Sequence, residues 1–169
     1  MSGDWGKKFE TDFKKSFDGT DIFVYRIKTR VTQYKGDSEI ADFLVYKLPI
    51  LYVLELKSTK EKRLPFDMIR ANQILGLLEA SKIYGIEAGV LVQFRDPYSH
   101  WYVPISVIHD YAMSGAKSIS IKDMPNINGV IEVPFTQKRV SVKLDVEVLL
   151  KKIIEKEEYA NNLTSSSRD

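Results

Sequence analysis

Two acidic residues and a lysine stand where a sheet core should be apolar. Glu55 interrupts the run Ile50-Leu51-Tyr52-Val53-Leu54, Lys57 follows it, and Asp42 lies inside Ile40-Ala41-Asp42-Phe43-Leu44-Val45. A buried carboxylate is costly unless it is paired or binds a metal. Side chains alternate across a strand, so Val53, Glu55 and Lys57 share one face, as do Ile40, Asp42 and Leu44. If the two runs are adjacent strands with these faces aligned, the carboxylates converge on one cation. Oxygen ligands of this kind suit Mg²⁺, with Mn²⁺ as a substitute. The main-chain carbonyl of Leu56 could add a third ligand. Such a cation binds a scissile phosphate oxygen and acidifies a bound water. Lys57 would set a compact positive charge beside the developing negative charge. The chemistry indicated is phosphodiester hydrolysis. The plainer reading is structural: an Asp42–Lys57 ion pair with Glu55 at an exposed edge. The dense apolar run around Glu55 argues against that exposure.

Further residues could complete such a site. Glu10 lies beside an aromatic stripe in the first helix and could reach the sheet edge as an outer metal ligand, or simply be solvated. Gln73, in the helix after the lysine, could hold the attacking water or Lys57, or could sit on a helix flank. Arg26, Lys28, Arg30 and Lys35 form a basic run without acids, and Lys57, Lys60, Lys62 and Arg63 a second run with only Glu61 opposed. Either can hold a phosphate backbone or be a solvated loop. Arg70 could contact DNA phosphate or cap the second basic loop. His100 and His109 are given no chemistry. Trp101 and Tyr102 are expected to pack in a hairpin rather than stack on bases.

The elements that must position these groups follow from periodicity. Trp5, Phe9, Phe13 and Phe17 recur every fourth residue, which predicts a helix over 5–17 with Asp4 as N-cap. Residues 22–27 read as a strand and 28–39 as a polar loop. Residues 40–46 and 50–57 read as a hairpin turning at Lys47-Leu48-Pro49. Pro65 and Asp67 open a helix to about residue 84, stopped by Gly85. Strands are expected over 88–94 and 100–105 around a turn at 95–99, then a helix to about 113. Short extended pieces follow near 117–121 and 129–133, then an amphipathic helix over 144–159. The sum is an α/β fold with a mixed β-sheet flanked by helices. One domain over 1–160 and a disordered tail over 161–169 are expected.

Composition narrows the class. The chain has 169 residues, 44% hydrophobic and 28% charged, with a formal net charge of +2. That fits one soluble globular domain. The absence of cysteine excludes disulfides, thiolate zinc sites and cysteine nucleophiles, and two histidines make a histidine cage a poor expectation. No stretch reaches the roughly 20 apolar residues of a membrane helix, and the N-terminus lacks the apolar core of a signal peptide. The expected location is the cytoplasm of a bacterium, or of the host if the chain is phage-encoded, with no membrane partner.

In order along the chain stand the helix with Glu10, then Ser38-Glu39-Ile40-Ala41-Asp42-Phe43, Glu55-Leu56-Lys57-Ser58-Thr59 and Asn72-Gln73-Ile74. This set resembles the PD-(D/E)xK nuclease superfamily, with its restriction-endonuclease-like core. Within it, the chain resembles RecU-type Holliday junction resolvases of Gram-positive bacteria and their phages. The run Gly85 to Phe94, followed by Trp101-Tyr102-Val103-Pro104, resembles the family's later strand pair. Lys117-Ser118-Ile119 and Leu144-Asp145-Val146 resemble its C-terminal elements. The resemblance implies Asp42 and Glu55 as metal ligands, Lys57 as catalytic lysine and Glu10 as an additional acidic residue. It also implies a homodimer that cuts two strands of a four-way junction symmetrically, leaving 5′-phosphate ends, a two-fold enzyme on a two-fold substrate.

Two departures stand out. The family's longer insertion before the catalytic aspartate, a stalk entering the junction, is reduced here to a short basic interval at 28–39. Its threonine-rich stretch is replaced by Ser38-Glu39-Ile40-Ala41. A phage-type variant with broader branched-DNA specificity fits these changes. The alternatives are a restriction-like or homing-type nuclease on linear duplex, which calls for a base-reading segment not found here, and a non-catalytic branched-DNA-binding module, which the retained Asp42, Glu55 and Lys57 disfavour.

Overall fold

The computed structural model describes residues 2–28 and 39–165. Helix α1 (Ser2–Lys15) leads into strand β1 (Phe23–Arg26). Strands β2 (Phe43–Lys47) and β3 (Ile50–Thr59) form the expected hairpin. Next come β4 (Arg63–Pro65), a short 3₁₀ turn over Phe66–Met68 and α2 (Ala71–Ser81). Strands β5 (Ile86–Arg95) and β6 (Tyr98–Pro104) precede α3 (Ile105–Met113) and β7 (Ser118–Ser120). The chain continues through β8 (Ile131–Glu132), β9 (Phe135–Gln137), β10 (Val142–Leu144) and α4 (Val146–Ser165).

The main sheet runs β1-β2-β3-β5-β6-β8. Among the described residues only β3 and β5 pair in parallel, and the crossover between them carries α2, as a parallel connection requires. Two cores cover the two faces. On one, Phe9, Phe13 and Phe17 meet Phe43, Val45, Tyr52, Leu54 and Leu56, with Leu149, Leu150 and Ile153 of α4. On the other, Val53, Val90, Val92 and Phe94 meet Leu77 of α2 and Ile105 and Ile108 of α3. The architecture is thus the expected mixed sheet flanked by helices. Among the described residues no helix is long and apolar enough to cross a membrane.

The structure differs from the sequence reading in several places, the first being that Asp4 lies in the first turn of α1, which starts at Ser2, and does not cap it. The helix expected from Pro65 to residue 84 is only Ala71–Ser81. Leu64 and Phe66 are buried in the α2-side core, and β4 pairs with β7, so long-range pairing overrides the local helix signal. The chain leaves the helix before Gly85, whose φ of 82° suits glycine. The first helix ends at Lys15, with Phe17 in the turn beyond it. Trp5 is not part of the buried stripe: it is exposed, with the Arg95 guanidinium 5.3 Å from its ring. At the other end, α4 continues through residues 161–165, which the sequence reading placed in a tail.

Candidate functional site

The β2–β3 hairpin sets the geometry. Phe43 faces Leu54 across it, so the next step outward places Asp42 across from Glu55. The Asp42 main chain is held on both sides. Its N–H donates to Leu54 O at 3.0 Å, and its carbonyl accepts from Ile27 N at 2.8 Å. Its side chain then continues the ladder, Oδ2 accepting from Leu56 N at 2.8 Å. These bonds turn the Leu56 peptide toward β2, at the carboxylate end of the hairpin.

Glu55 is 2% exposed. Its Oε1 accepts from Lys57 Nζ at 2.6 Å, while Oε2 is buried with no hydrogen bond of ordinary geometry. Burial raises the Glu55 pKa, and the charge of Asp42 adds to the rise; Lys57 and the nearby Gln73 amide oppose it. Glu10 behaves alike. Burial and the Asp42 charge raise its pKa, opposed by Arg26, which ion-pairs with it, and by Lys57. The Asp42 charge therefore acts on both Glu10 and Glu55, and Lys57 opposes it at both.

Each expected site residue can now be placed. Glu10, Asp42, Glu55, Lys57 and Gln73 come together. Gln73 is buried, its Oε1 accepting from Arg70 N at the start of α2, which leaves its amide nitrogen for the Glu55 side. Gly76 lets that helix lie against Ile40, two residues before Asp42: a Cβ there would overlap the Ile40 side chain. The structural alternative is corrected in both parts, since Glu55 is buried and Lys57 pairs with Glu55. Arg26, Lys28, Lys60, Lys62, Arg63 and Arg70 are exposed. Arg26 spends its charge on Glu10, and Arg63 lies 4.0 Å from Glu61. Arg30 and Lys35 lie outside the described residues. Trp101 and Tyr102 are buried, as expected of packing residues.

Among the described residues, no three His, Cys, Asp or Glu side chains form a metal cage. Mg²⁺ does not require one, because it commonly takes one or two carboxylates and keeps several waters. The donor set fits it: Asp42 and Glu55 across one hairpin, an open Glu55 Oε2 and the neighbouring Leu56 peptide. The sequence reading missed the Arg26–Glu10 pair. It bridges α1 and β1, sixteen residues apart, and no local spacing announces it.

No family model matches the chain. The SPbeta prophage-derived uncharacterized protein YotM of Bacillus subtilis strain 168 is 37% identical over 109 residues, 57% of this chain and 53% of that protein. The chain thus spans about half the length of this curated relative. Among solved structures, Archaeoglobus fulgidus Hjc, a Holliday junction resolvase from an archaeal hyperthermophile, is similar with a TM-score of 0.46 and 19% identity, covering 60% of this chain and 78% of that one.

Proposed function

We propose that the chain is a metal-dependent endonuclease that cuts branched DNA, of the RecU-type resolvase kind within the PD-(D/E)xK superfamily. It would act as a homodimer, placing paired nicks in a four-way junction. The observation that carries this reading is Glu55, a buried carboxylate with one oxygen unpartnered, opposite Asp42 and charge-paired to Lys57. A fold does not keep such a group for packing, since a buried, incompletely satisfied carboxylate lowers stability.

In this reading Asp42 and Glu55 hold Mg²⁺, with the Leu56 carbonyl as a further donor and Glu10 at the outer edge. When bound, Mg²⁺ supplies Lewis-acid activation of a phosphate oxygen and a more acidic water. The rest of the work belongs to the chain. Glu55 holds the Lys57 ammonium at 2.6 Å, fixing a positive charge beside the reacting phosphate. Gln73, anchored through Arg70 N, fixes the Glu55 carboxylate or a water beside it. Arg26 holds Glu10 toward the cluster. Lys28, Lys60, Lys62 and Arg70, exposed on the surface, would meet flanking phosphates, and Arg30 and Lys35, outside the described residues, would add their charge.

The test is an end-labelled four-way junction beside a matched linear duplex, each with Mg²⁺ and with chelator. Paired nicks confined to the junction and dependent on metal are expected. Equal cleavage of both substrates would demote the resolvase to a general nuclease, and binding without cleavage in Mg²⁺ or Mn²⁺ would leave a non-catalytic module.

A further inference from the structure

Long-range pairing brings a distant lysine to the basic run that follows Lys57. The run Lys60-Glu61-Lys62-Arg63 starts where β3 ends at Thr59. Thr59 Oγ1 accepts from Glu61 N at 3.0 Å, which folds the chain out of β3 and into β4. Strand β4 then pairs with β7, Arg63 opposite Ser120 and Leu64 opposite Ile119. The ladder continues past the strands, because Lys62 O accepts from Ile121 N at 3.1 Å. Lys122, far along the chain, therefore stands beside the 60–63 run. Its turn is fixed: Lys122 N donates to Ser120 Oγ at 3.3 Å, and Asp123 N to Ser120 O at 3.0 Å.

The two strands make a ribbon with an inner and an outer side. Leu64 and Ile119 are buried in the α2-side core, on the side of the sheet that Glu55 faces. Alternation puts Arg63, Ser118 and Ser120 on the outer side. Lys60, Lys62 and Lys122 stand at the bend where the ribbon leaves β3, and all three are exposed. Lys60 is no more than about 10 Å of extended chain from Lys57. Lys60, Lys62, Arg63 and Lys122 thus gather against Glu61 and Asp123. Among the described residues the ion pair of this cluster is Arg63 with Glu61, at 4.0 Å.

Chemistry narrows the partner. Lysines, an arginine and serine hydroxyls are the donors that hold phosphate oxygens. Residues 60–65 and 117–123 contain no aromatic ring, so the ribbon offers unpaired bases nothing to stack on. Cations fixed by a paired backbone suit a regular array of negative charge, and the phosphates of a DNA duplex are such an array.

We infer that the bend of the β4–β7 ribbon holds the phosphate backbone of a duplex DNA arm, with Lys122 closing the contact. The contact reads no sequence. Its role, seating the arm that leads to the cleaved phosphate, rests on the nuclease reading; the binding of duplex does not.

The experiment uses the full chain in chelator, so binding is read without cleavage. Fluorescence anisotropy follows affinity for two duplexes of unrelated sequence and for a single strand of equal length, from about 50 to 200 mM salt. The variants are Lys122→Gln, Lys122→Arg, Lys60→Gln/Lys62→Gln/Lys122→Gln and Lys151→Gln. Lys151 lies on α4, which packs on the opposite face, and its loss changes the net charge as much as the loss of Lys122. Lys122→Gln should weaken both duplexes alike and lower the slope of log affinity against log salt by about 1, the triple variant by about 3. Lys122→Arg and Lys151→Gln should keep the wild-type slope. An unchanged slope in Lys122→Gln, an equal fall in Lys151→Gln, a loss that depends on sequence or is confined to the single strand, or a wild type that binds anionic lipid vesicles but no duplex each overturns the contact. Cleavage by the wild type in Mg²⁺ is scored separately. The expected slopes without cleavage sink the nuclease reading alone, and cleavage with an unchanged slope in Lys122→Gln sinks the ribbon contact alone.

Discussion

One residue step along β3 separates two polar clusters of opposite character. On the α2 face, Glu55 and Lys57 meet Asp42 and Gln73. On the α1 face, Ser58 Oγ donates to Gln93 Oε1 at 2.9 Å, and Gln93 Nε2 donates to Tyr98 Oη at 2.9 Å and lies 3.2 Å from His100 Nε2. The His100 ring is enclosed by Phe9, Tyr98 and Phe135, with centroids 5.5, 5.2 and 4.9 Å away. Burial pushes its pKa down to about 4, so it is neutral at physiological pH. Each cluster leaves one buried atom without a partner, Glu55 Oε2 in one and His100 Nδ1 in the other. The difference is charge. The neutral cluster closes largely on itself and knits three strands together. The charged cluster gathers like charges and leaves an oxygen open, an arrangement that costs stability and that a bound cation, as proposed, would relieve.

The sharpest way to break this comparison is Glu55→Gln. Cleavage should fall on the order of 10³-fold or more, because a ligand of the proposed metal is lost, while junction binding in chelator persists. Stability should move the other way. The folded pKa of Glu55 is raised, so its contribution is favourable below the unfolded pKa and is lost as pH rises through the folded pKa. At neutral pH the carboxylate opposes folding, and the metal-free variant should melt at or above the wild type. Mg²⁺ should raise the wild-type Tm by mass action and leave that of the variant unmoved. A variant that melts lower, gains Tm with Mg²⁺ and still cuts would make Glu55 a structural ion. Next in size is Lys57→Ala, with turnover down by roughly 10²–10³-fold, as for a lost transition-state charge. Unchanged turnover would remove Lys57 from the chemistry.

How far the sequence reveals these two clusters also differs. Asp42, Glu55 and Lys57 are legible because a charge inside an apolar strand violates the pattern around it, and alternation assigns its face. Gln73 and Glu10 are legible only as candidates, since their helices, but not their reach, can be read locally. Gln93 and His100 carry no such signal. A glutamine or histidine in a strand is unremarkable until Ser58, 35 residues away from Gln93, closes on it. The β4–β7 pairing is hidden for the same reason. Leu64 finds Ile119 far along the chain, and nothing near Pro65 distinguishes that outcome from a helix start. Phe23 and Tyr25 fit any strand by propensity, and nothing local says that their side of β1 is exposed.

The α1-face cluster can be tested through pH. His100 is neutral in the fold down to about pH 4, whereas the unfolded chain takes up a proton near the ordinary value of 6.5. The unfolded state thus binds more protons between these values, and stability falls as pH drops from about 6.5 toward 4. The loss amounts to at most about 3 kcal/mol, from 1.36 kcal/mol per pKa unit. Urea unfolding across that range should show the slope in the wild type and a shallower one in His100→Phe. Identical slopes would mean that His100 is charged in the fold, and the contrast between the clusters would disappear.

The smallest effect is the most discriminating. Gln93→Leu keeps the volume and removes the hub of the neutral cluster, leaving the Ser58 hydroxyl, the Tyr98 hydroxyl and His100 Nε2 short of a partner. Leaving buried polar groups unsatisfied costs about 1–3 kcal/mol, so Tm should fall. Cleavage per folded molecule should not change, because the side chains of Gln93 and Glu55 lie on opposite faces of the sheet. The two amide experiments then run in opposite directions: Glu55→Gln holds or gains stability and loses activity, while Gln93→Leu loses stability and keeps activity. If Gln93→Leu lowers turnover at a temperature where the protein is fully folded, the α1-face network shapes the cleavage site through β3. The two clusters would then be one functional unit.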